Sequence, residues 1–318
     1  MIRLRLPENG KKAQCDCLTS TTYSVICNFG KNYLDVFALF WGFQYKTQSN
    51  LTWNDSFERG GLIQQPSYTL KSLTGVEVCR RLNDGSLSVM KRTIQSYTEK
   101  GLPVGIQLDA YECPWNVAYK HVHFHHYVLA LGYQDGILFC QDPFCYIDKI
   151  ALHADAQLKI GRDYYTYKIH NTKELHPNER IILLKESIRY YLSSKSYENI
   201  VCFANEIPFQ REYFEELRKQ QPIIVTPFFI KWKSIVSDRI NFLSFLQCCA
   251  SKMPDKFIAL VNAYRILAKS WNDTYLLWIK TISRSINLDA LKTLKQRLLE
   301  LADKEYSMAR VLDAYFVL

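Results

Sequence analysis

The sequence predicts an α+β protein in which a mixed region of helices and strands is followed by a helical region. Two contrasts along the chain support this prediction. Residues 14–170 alternate amphipathic helical patterns with strand-like runs that Gly and Pro punctuate. From about residue 180 onward, apolar residues recur at helical spacing almost without interruption. We therefore expect two domains, over residues 1–170 and 171–318.

Composition narrows the class of protein. The chain has 318 residues, of which 48% are hydrophobic and 22% charged, which indicates a folded globular protein. The net charge is +9, but no Lys/Arg run suggests a nucleic-acid-binding arm. There is no apolar run long enough to span a membrane and no apolar stretch typical of a signal peptide. Several of the ten cysteines lie in apolar runs, as reduced, buried thiols do, which predicts a cytoplasmic protein. From the charge pattern and the lack of a membrane-spanning run, we expect neither nucleic-acid nor membrane partners.

The first region contains patterns for two helices and three strands. The helices are predicted over residues 17–29, closed by Gly30, and 86–100, closed by Gly101. The strands, each bounded by turn residues, are predicted over 103–109, 126–133 and 137–142. The last two form a predicted hairpin. Residues 44–85 are poorly patterned, and we expect loops and short helices there.

The helical region ends in a long amphipathic helix. One face carries apolar residues at alternating spacings of three and four, and Glu305 interrupts this face once. The stripe consists of Leu291, Leu294, Leu298, Leu301, Met308, Leu312 and Tyr315. We expect this face to pack against neighbouring helices of the same chain, and a homodimer through the C-terminal helices is the alternative.

Cys17 is the candidate nucleophile. It stands where the first helix is predicted to begin, and the free amides and dipole of a helix N-terminus favour the thiolate, which is the reactive form of a thiol. The polar run 19–22 that follows is compatible with a first turn that faces a cleft. Cys15 is the rival nucleophile, and a purely structural cysteine is the other alternative.

His126 and Asp142 are the candidate base and its orienting carboxylate. His126 opens one strand of the hairpin and Asp142 ends the other, just before Pro143. With a two-residue loop, the two side chains would point to opposite faces of the hairpin. With a three-residue loop, residue 128 opposes 142 and His126 becomes the diagonal neighbour of Asp142, within reach of a hydrogen bond. The triad therefore requires the longer loop.

Other polar residues near these positions allow further interpretations. His121, His123 and His125 alternate, so they would share one face of a strand and could hold zinc. No Cys-x-x-Cys or His-Glu-x-x-His pattern supports a metal site, and a solvated loop is the simpler interpretation, so we expect no metal. Asp109 ends its strand, where it would either line the same cleft and bind substrate or cap the strand end.

The order of these motifs resembles a known family. Cys17, Gly30 thirteen residues later, and the runs 101–111, 126–133 and 141–143 are together similar to the butirosin-biosynthesis H-type N-terminal domain. The resemblance covers about residues 14–150. It implies a papain-like cysteine-peptidase fold, here followed by an α-helical C-terminal region.

The resemblance also implies an activity. Enzymes of this family move an acyl group from the phosphopantetheine thioester of an acyl or peptidyl carrier protein to an amine, as in antibiotic and nonribosomal peptide biosynthesis. The catalytic residues implied are Cys17, His126 and Asp142, with no cofactor beyond the one on the carrier protein. Gln14 is a further candidate for substrate binding, and the backbone amide of Cys17 is the alternative oxyanion donor. A papain-like peptidase or amidohydrolase and a non-catalytic scaffold are the competing hypotheses.

Overall fold

The structure is a computed structural model, and its chain forms two compact units. It describes residues 2, 4–6, 16–46, 53, 55–82, 86–157, 163–171, 174–220, 222–251, 253–284 and 286–317. The first unit combines residues 1–33 with 69–174, and the second combines 34–68 with 175–318. The structure is mixed α+β with antiparallel sheets, which confirms the predicted class.

A six-stranded antiparallel sheet organises the first unit. Its strands are β3 (Val76–Leu82), β4 (Val104–Asp109), β5 (His125–Gln134), β6 (Ile137–Asp142), β7 (Ile147–His153) and β8 (Asp163–Ile169). Their order in the sheet is β3-β8-β4-β5-β6-β7. Three of the strands, β4, β5 and β6, match the predicted ones. Strands β7 and β8 were not predicted, and neither was β3, which lies where loops and short helices were expected. That strand lies at the sheet edge and its last three residues are exposed, so it lacks the apolar alternation of a half-buried strand.

The hairpin between β5 and β6 corrects one sequence-based prediction. The loop has two residues, Asp135 and Gly136, both with positive φ (51° and 80°), as a type I′ turn requires. The extra residue lies inside β5 instead, because the register shifts between Ala130 and Gly132. This bulge at Leu131 reverses the facing of the residues before it. The predicted three-residue loop is therefore wrong. The bulge nevertheless places His126 and Asp142 on the same face of the hairpin, as that loop would have done.

The predicted helices of the first unit are confirmed. Helix α1 spans Cys17–Asn28, and Gly30 follows it with φ 68°. Helix α3 spans Leu87–Glu99, begins at the N-cap Ser86 and buries Met90 and Ile94. These two side chains join a core cluster with Val128 and Ala130 of β5. The short helices α2 (Leu70–Thr74) and α4 (Ala154–Gln157) complete the unit.

The second unit is mostly helical. It contains the short strands β1 (Phe43–Tyr45) and β2 (Phe57–Arg59), which pair with each other, and a run of helices. The helices are α5 (Pro177–Ser193), α6 (Ser196–Glu206), α7 (Arg211–Lys219), α8 (Pro227–Ala250), α9 (Asp255–Arg284) and α10 (Leu288–Val317). Residues 34–68, which the sequence assigned to the first domain, belong to this unit. Among the described residues, no helix combines the length and apolar character needed to cross a bilayer.

Most of the apolar face of α10 is buried within the chain, namely Leu291, Leu294, Leu298, Leu301 and Leu312. The helix packs against α5, α6 and α9. Glu305, which interrupts the stripe, is also fully buried and pairs with the fully buried Arg239 of α8 across 3.1 Å. Trp41 donates a hydrogen bond to the same carboxylate over 2.7 Å. The break in the apolar pattern therefore marks a buried ion pair and not a solvent-facing position.

Candidate active site

His126 and Asp142 meet on one face of the sheet. Because of the bulge, Leu129 pairs with Gln141, and the same register sets Val128 opposite Asp142. His126, two residues before Val128, then lies diagonally beside Asp142. Nε2 of His126 is 2.6 Å from Oδ2 of Asp142, and both side chains are fully buried. The structure thus brings together the predicted base and its orienting carboxylate.

Asp142 is held by three further donors. Trp115 donates its indole N–H to Oδ2 over 2.8 Å. The backbone N–H groups of Phe144 and Cys145 both donate to Oδ1 over 3.0 Å. Four donors on one buried carboxylate fix its orientation and favour its charged form. The pKa of Asp142 is accordingly lowered, since these hydrogen bonds outweigh the burial that would raise it.

The partners of Asp142 also determine the tautomer of the imidazole. An ionised carboxylate only accepts hydrogen bonds, so Nε2 of His126 must carry the proton that it shares with Asp142. In the neutral ring, Nδ1 is then the acceptor. Within the described part of the chain, Nδ1 has no hydrogen-bond partner, although it is buried. Whenever the ring is neutral, this nitrogen carries a lone pair, which is what a general base needs.

Cys17 is the first residue of α1, as predicted. Asp16 caps the helix by accepting a hydrogen bond from the backbone N–H of Thr19 over 2.7 Å. The Cys17 thiol is partly exposed, and it interacts with the imidazole of His126. The first backbone amides of a helix lack partners within it, so the helix start supplies donors beside the sulfur. The third predicted residue thus lies at the same site.

The pKa of His126 is raised well above its ordinary value. Burial acts in the opposite direction and is the largest single effect. The hydrogen bond with Asp142, the interactions with the thiols of Cys145 and Cys17, and the charge of Asp142 together outweigh it. A positive charge on the imidazole favours the thiolate form of a neighbouring thiol.

A second thiol, which the sequence analysis missed, lies beside the same imidazole. Cys145 is in the turn after β6, and its side chain interacts with both His126 and Asp142. Its burial raises the pKa of its thiol, so it is a weaker nucleophile than a thiol of ordinary pKa at neutral pH. Cys113 is close as well, but it is fully buried and its pKa is raised to about 12. The position of Cys145, three residues after Asp142, is the signal that could have revealed it.

The two predicted substrate-binding residues have different outcomes. Asp109 accepts hydrogen bonds from the backbone N–H groups of Tyr111 and Phe124, and its other oxygen pairs with His123 over 2.7 Å. These bonds give Asp109 the role of a strand-end cap that holds both ends of the following loop. A role in substrate binding stays a prediction. Gln14 lies outside the described residues.

The alternating histidines do not form a ligand group. The strand begins only at His125, and His121 lies in a turn before it. His123 instead pairs with Asp109 and stacks on Tyr111, with ring centroids 4.1 Å apart. In the described part of the chain, the cluster of potential metal ligands is a different one, formed by His126, Asp142 and Cys145.

Comparisons with known proteins give no family. No protein-family model matches the chain, and a search of curated proteins also found no match. The interpretation of the site therefore depends on its geometry.

Proposed function

We propose that the chain is a cysteine-dependent acyltransferase with a papain-like catalytic unit, in which Cys17 is the nucleophile, His126 the base and Asp142 the orienting carboxylate. The observation that carries this proposal is the buried His126–Asp142 pair. It directs the proton-bearing nitrogen of the ring to Asp142 and leaves the other nitrogen free, beside a thiol at the start of a helix. Nucleophile, base and orienting group in this arrangement are the requirements of covalent acyl transfer.

Each residue has one chemical task. His126 takes the proton from the Cys17 thiol, and the thiolate attacks the carbonyl carbon of a thioester. The tetrahedral intermediate expels the thiol of the donor, which leaves with the proton from His126, and an acyl-enzyme remains. An amine then attacks the acyl carbon and gives its proton to His126, and Cys17 departs as the thiolate. Exchange between thioesters is nearly balanced in energy, whereas amide formation drives the second half of the reaction forward.

The donor and acceptor are proposed from the net charge of the protein and from the resemblance of its motif order to the butirosin-biosynthesis H-type N-terminal domain. A protein with net charge +9 attracts acidic partners and speeds their encounter, and carrier proteins are typically acidic. We therefore propose an acyl or peptidyl carrier protein as the donor and a small amine as the acceptor, in an antibiotic or related biosynthetic pathway. Water as the acceptor would make the same three residues a hydrolase.

Trapping the acyl-enzyme tests this function. The full chain is mixed with an acyl-loaded carrier protein without acceptor, and intact-protein mass spectrometry follows the added mass. We expect one acyl group on the wild-type chain and none on Cys17→Ala. Cys145→Ala should still be acylated. Cys202→Ala, which removes an exposed thiol on α6, is the matched control and should behave as the wild type.

The outcomes separate the competing functions. Transfer of the trapped acyl group to an added amine supports the acyltransferase. Release of the free acid at the same rate with and without amine supports a hydrolase instead. Acylation of Cys17→Ala to the wild-type level would refute Cys17 as the nucleophile.

A further inference from the structure

Three side chains at the active site form a compact set of metal-binding atoms. His126, Asp142 and Cys145 each offer one ligand atom, and these atoms all lie within 4.8 Å of one another. His126 and Asp142 are fully buried, and Cys145 is partly buried. Acyl transfer by Cys17 does not need the Cys145 thiol, so the function proposed above leaves this sulfur without a role.

The donor set and its dimensions suit zinc. Imidazole nitrogen, carboxylate oxygen and thiolate sulfur are all common zinc ligands, at bond lengths of about 2.0–2.3 Å. In a tetrahedral site these lengths place neighbouring ligand atoms about 3.3–3.8 Å apart. The three ligand atoms are already within 4.8 Å, so movements of about 1 Å complete the geometry. Cys145 lies in the turn between β6 and β7, where its partly exposed side chain can make such an adjustment.

We propose that His126, Asp142 and Cys145 form an inhibitory site for a soft divalent cation, with Zn²⁺ as the natural occupant. On binding, the Cys145 thiol and the protonated imidazole of His126 each release one proton to solvent, and the sulfur bonds the cation as a thiolate. The ring nitrogen that binds the cation must be unprotonated, so the ring proton lies on the other nitrogen. One coordination position remains for a water molecule.

The hydrogen bonds within the metal-free site limit how strongly a cation can bind there. Asp142 already accepts hydrogen bonds from His126, Trp115 and two backbone N–H groups. A cation must displace part of this network, so we expect reversible binding and not a permanent structural zinc. While the cation is bound, His126 cannot accept the proton of Cys17. The inhibitory consequence rests on the proposed function, whereas the binding itself does not.

Cadmium titration tests the site without any need for turnover. Cd²⁺ is a zinc analogue whose thiolate bonds absorb in the ultraviolet. We expect one tight Cd²⁺ per chain in the wild type, in Cys17→Ala and in the control Cys202→Ser. Affinity should fall about 10-fold or more in Cys145→Ser and Cys145→Ala. A thermal melt of each variant verifies that it is folded, and the second substitution at residue 145 replaces the first if that one does not fold.

Inhibition by zinc provides the second measurement. Zn²⁺ should block acylation of the wild type, and Cys145→Ser should need about 10-fold more Zn²⁺ for the same loss. Unchanged Cd²⁺ affinity in both residue-145 variants would overturn the proposal. So would loss of the signal in Cys17→Ala, since the cation would then bind the nucleophile and base directly. Because the cadmium signal requires no activity, the metal site and the acyltransferase can fail independently of each other.

Discussion

Asp142→Asn should lower the rate of acyl transfer by on the order of 10²–10⁴-fold while the protein stays folded. The reason is the tautomer of His126. All four groups around the Asp142 carboxylate are hydrogen-bond donors in the wild type. With an amide NH₂ in place of one oxygen, a hydrogen-bond donor faces other donors. This conflict is relieved when Nε2 of His126 loses its proton and accepts a hydrogen bond from the amide. The ring proton then lies on Nδ1, where it blocks removal of the Cys17 proton.

The same substitution changes the pKa of His126 in a defined direction. Burial lowers this pKa, and Asp142 is the first of the opposing contributions that raise it. Without the charge, burial dominates, and the imidazole should lose its proton at a lower pH than in the wild type. Measurement of transfer rates together with an NMR titration of His126 checks both effects. Because the pKa of His126 is raised in the wild type, protonation of this ring stabilises the fold below its unfolded pKa, and that contribution is lost as the pH rises through the folded pKa.

Asp135→Asn is the matched control for this prediction. It makes the same chemical change on the same hairpin, at an exposed loop residue where positive φ suits Asn. We expect wild-type rates and an unchanged His126 titration in this control. Wild-type rates in Asp142→Asn as well would show that Asp142 does not orient the base.

Glu305→Ala should destabilise the chain by about 3–5 kcal/mol. Glu305 and Arg239 are both fully buried, and the substitution leaves the guanidinium without its counter-charge. Backbone carbonyls of Gly42 and Ile235 accept hydrogen bonds from Arg239, but they carry no compensating charge. Trp41 would also lose the acceptor of its indole N–H. Urea or guanidinium unfolding of the two proteins measures the difference.

Two further variants isolate the cause of this loss. Glu300→Ala removes a carboxylate from the same helix whose side chain is 40% exposed and pairs with Arg297 at the surface, so we expect at most a small change in the unfolding midpoint. Replacing both partners, as Arg239→Met with Glu305→Leu, should restore much of the stability, because no isolated charge remains buried. If Glu305→Ala unfolds at the wild-type midpoint, the buried pair does not stabilise the helical unit.

Local sequence patterns predicted the helices and strands that carry the site residues. Spacing of apolar residues and glycine stops located α1 and α3, and alternation bounded by turn residues located β4, β5 and β6. These elements position Cys17, His126 and Asp142. Asp16 and Ser86 cap α1 and α3, and the sequence analysis did not identify them as caps, although capping depends only on neighbours along the chain.

Features set by distant contacts were not predictable in the same way. A bulge at Leu131 and a three-residue loop both place His126 and Asp142 on one face of the hairpin, and the local sequence pattern does not distinguish them. The hydrogen bond from Trp115 to Asp142 joins residues 27 positions apart. Glu305 looked like a simple interruption because its partner Arg239 is on another helix. The described residues between 34 and 68 pack against helices much later in the chain, among them α5, α6 and α8, and such contacts leave no pattern in the local sequence.

The rate at which iodoacetamide alkylates each cysteine tests the central claim most directly. Peptide mapping over time gives the rate at Cys17, Cys145 and the exposed Cys202. We predict that Cys17 reacts first, and that His126→Ala slows it by about 10-fold or more, because the imidazole stabilises the thiolate. The control His153→Ala, at an exposed position on β7, should change nothing. A Cys17 that reacts no faster than Cys202, or equally fast in His126→Ala, would contradict a thiol activated by His126.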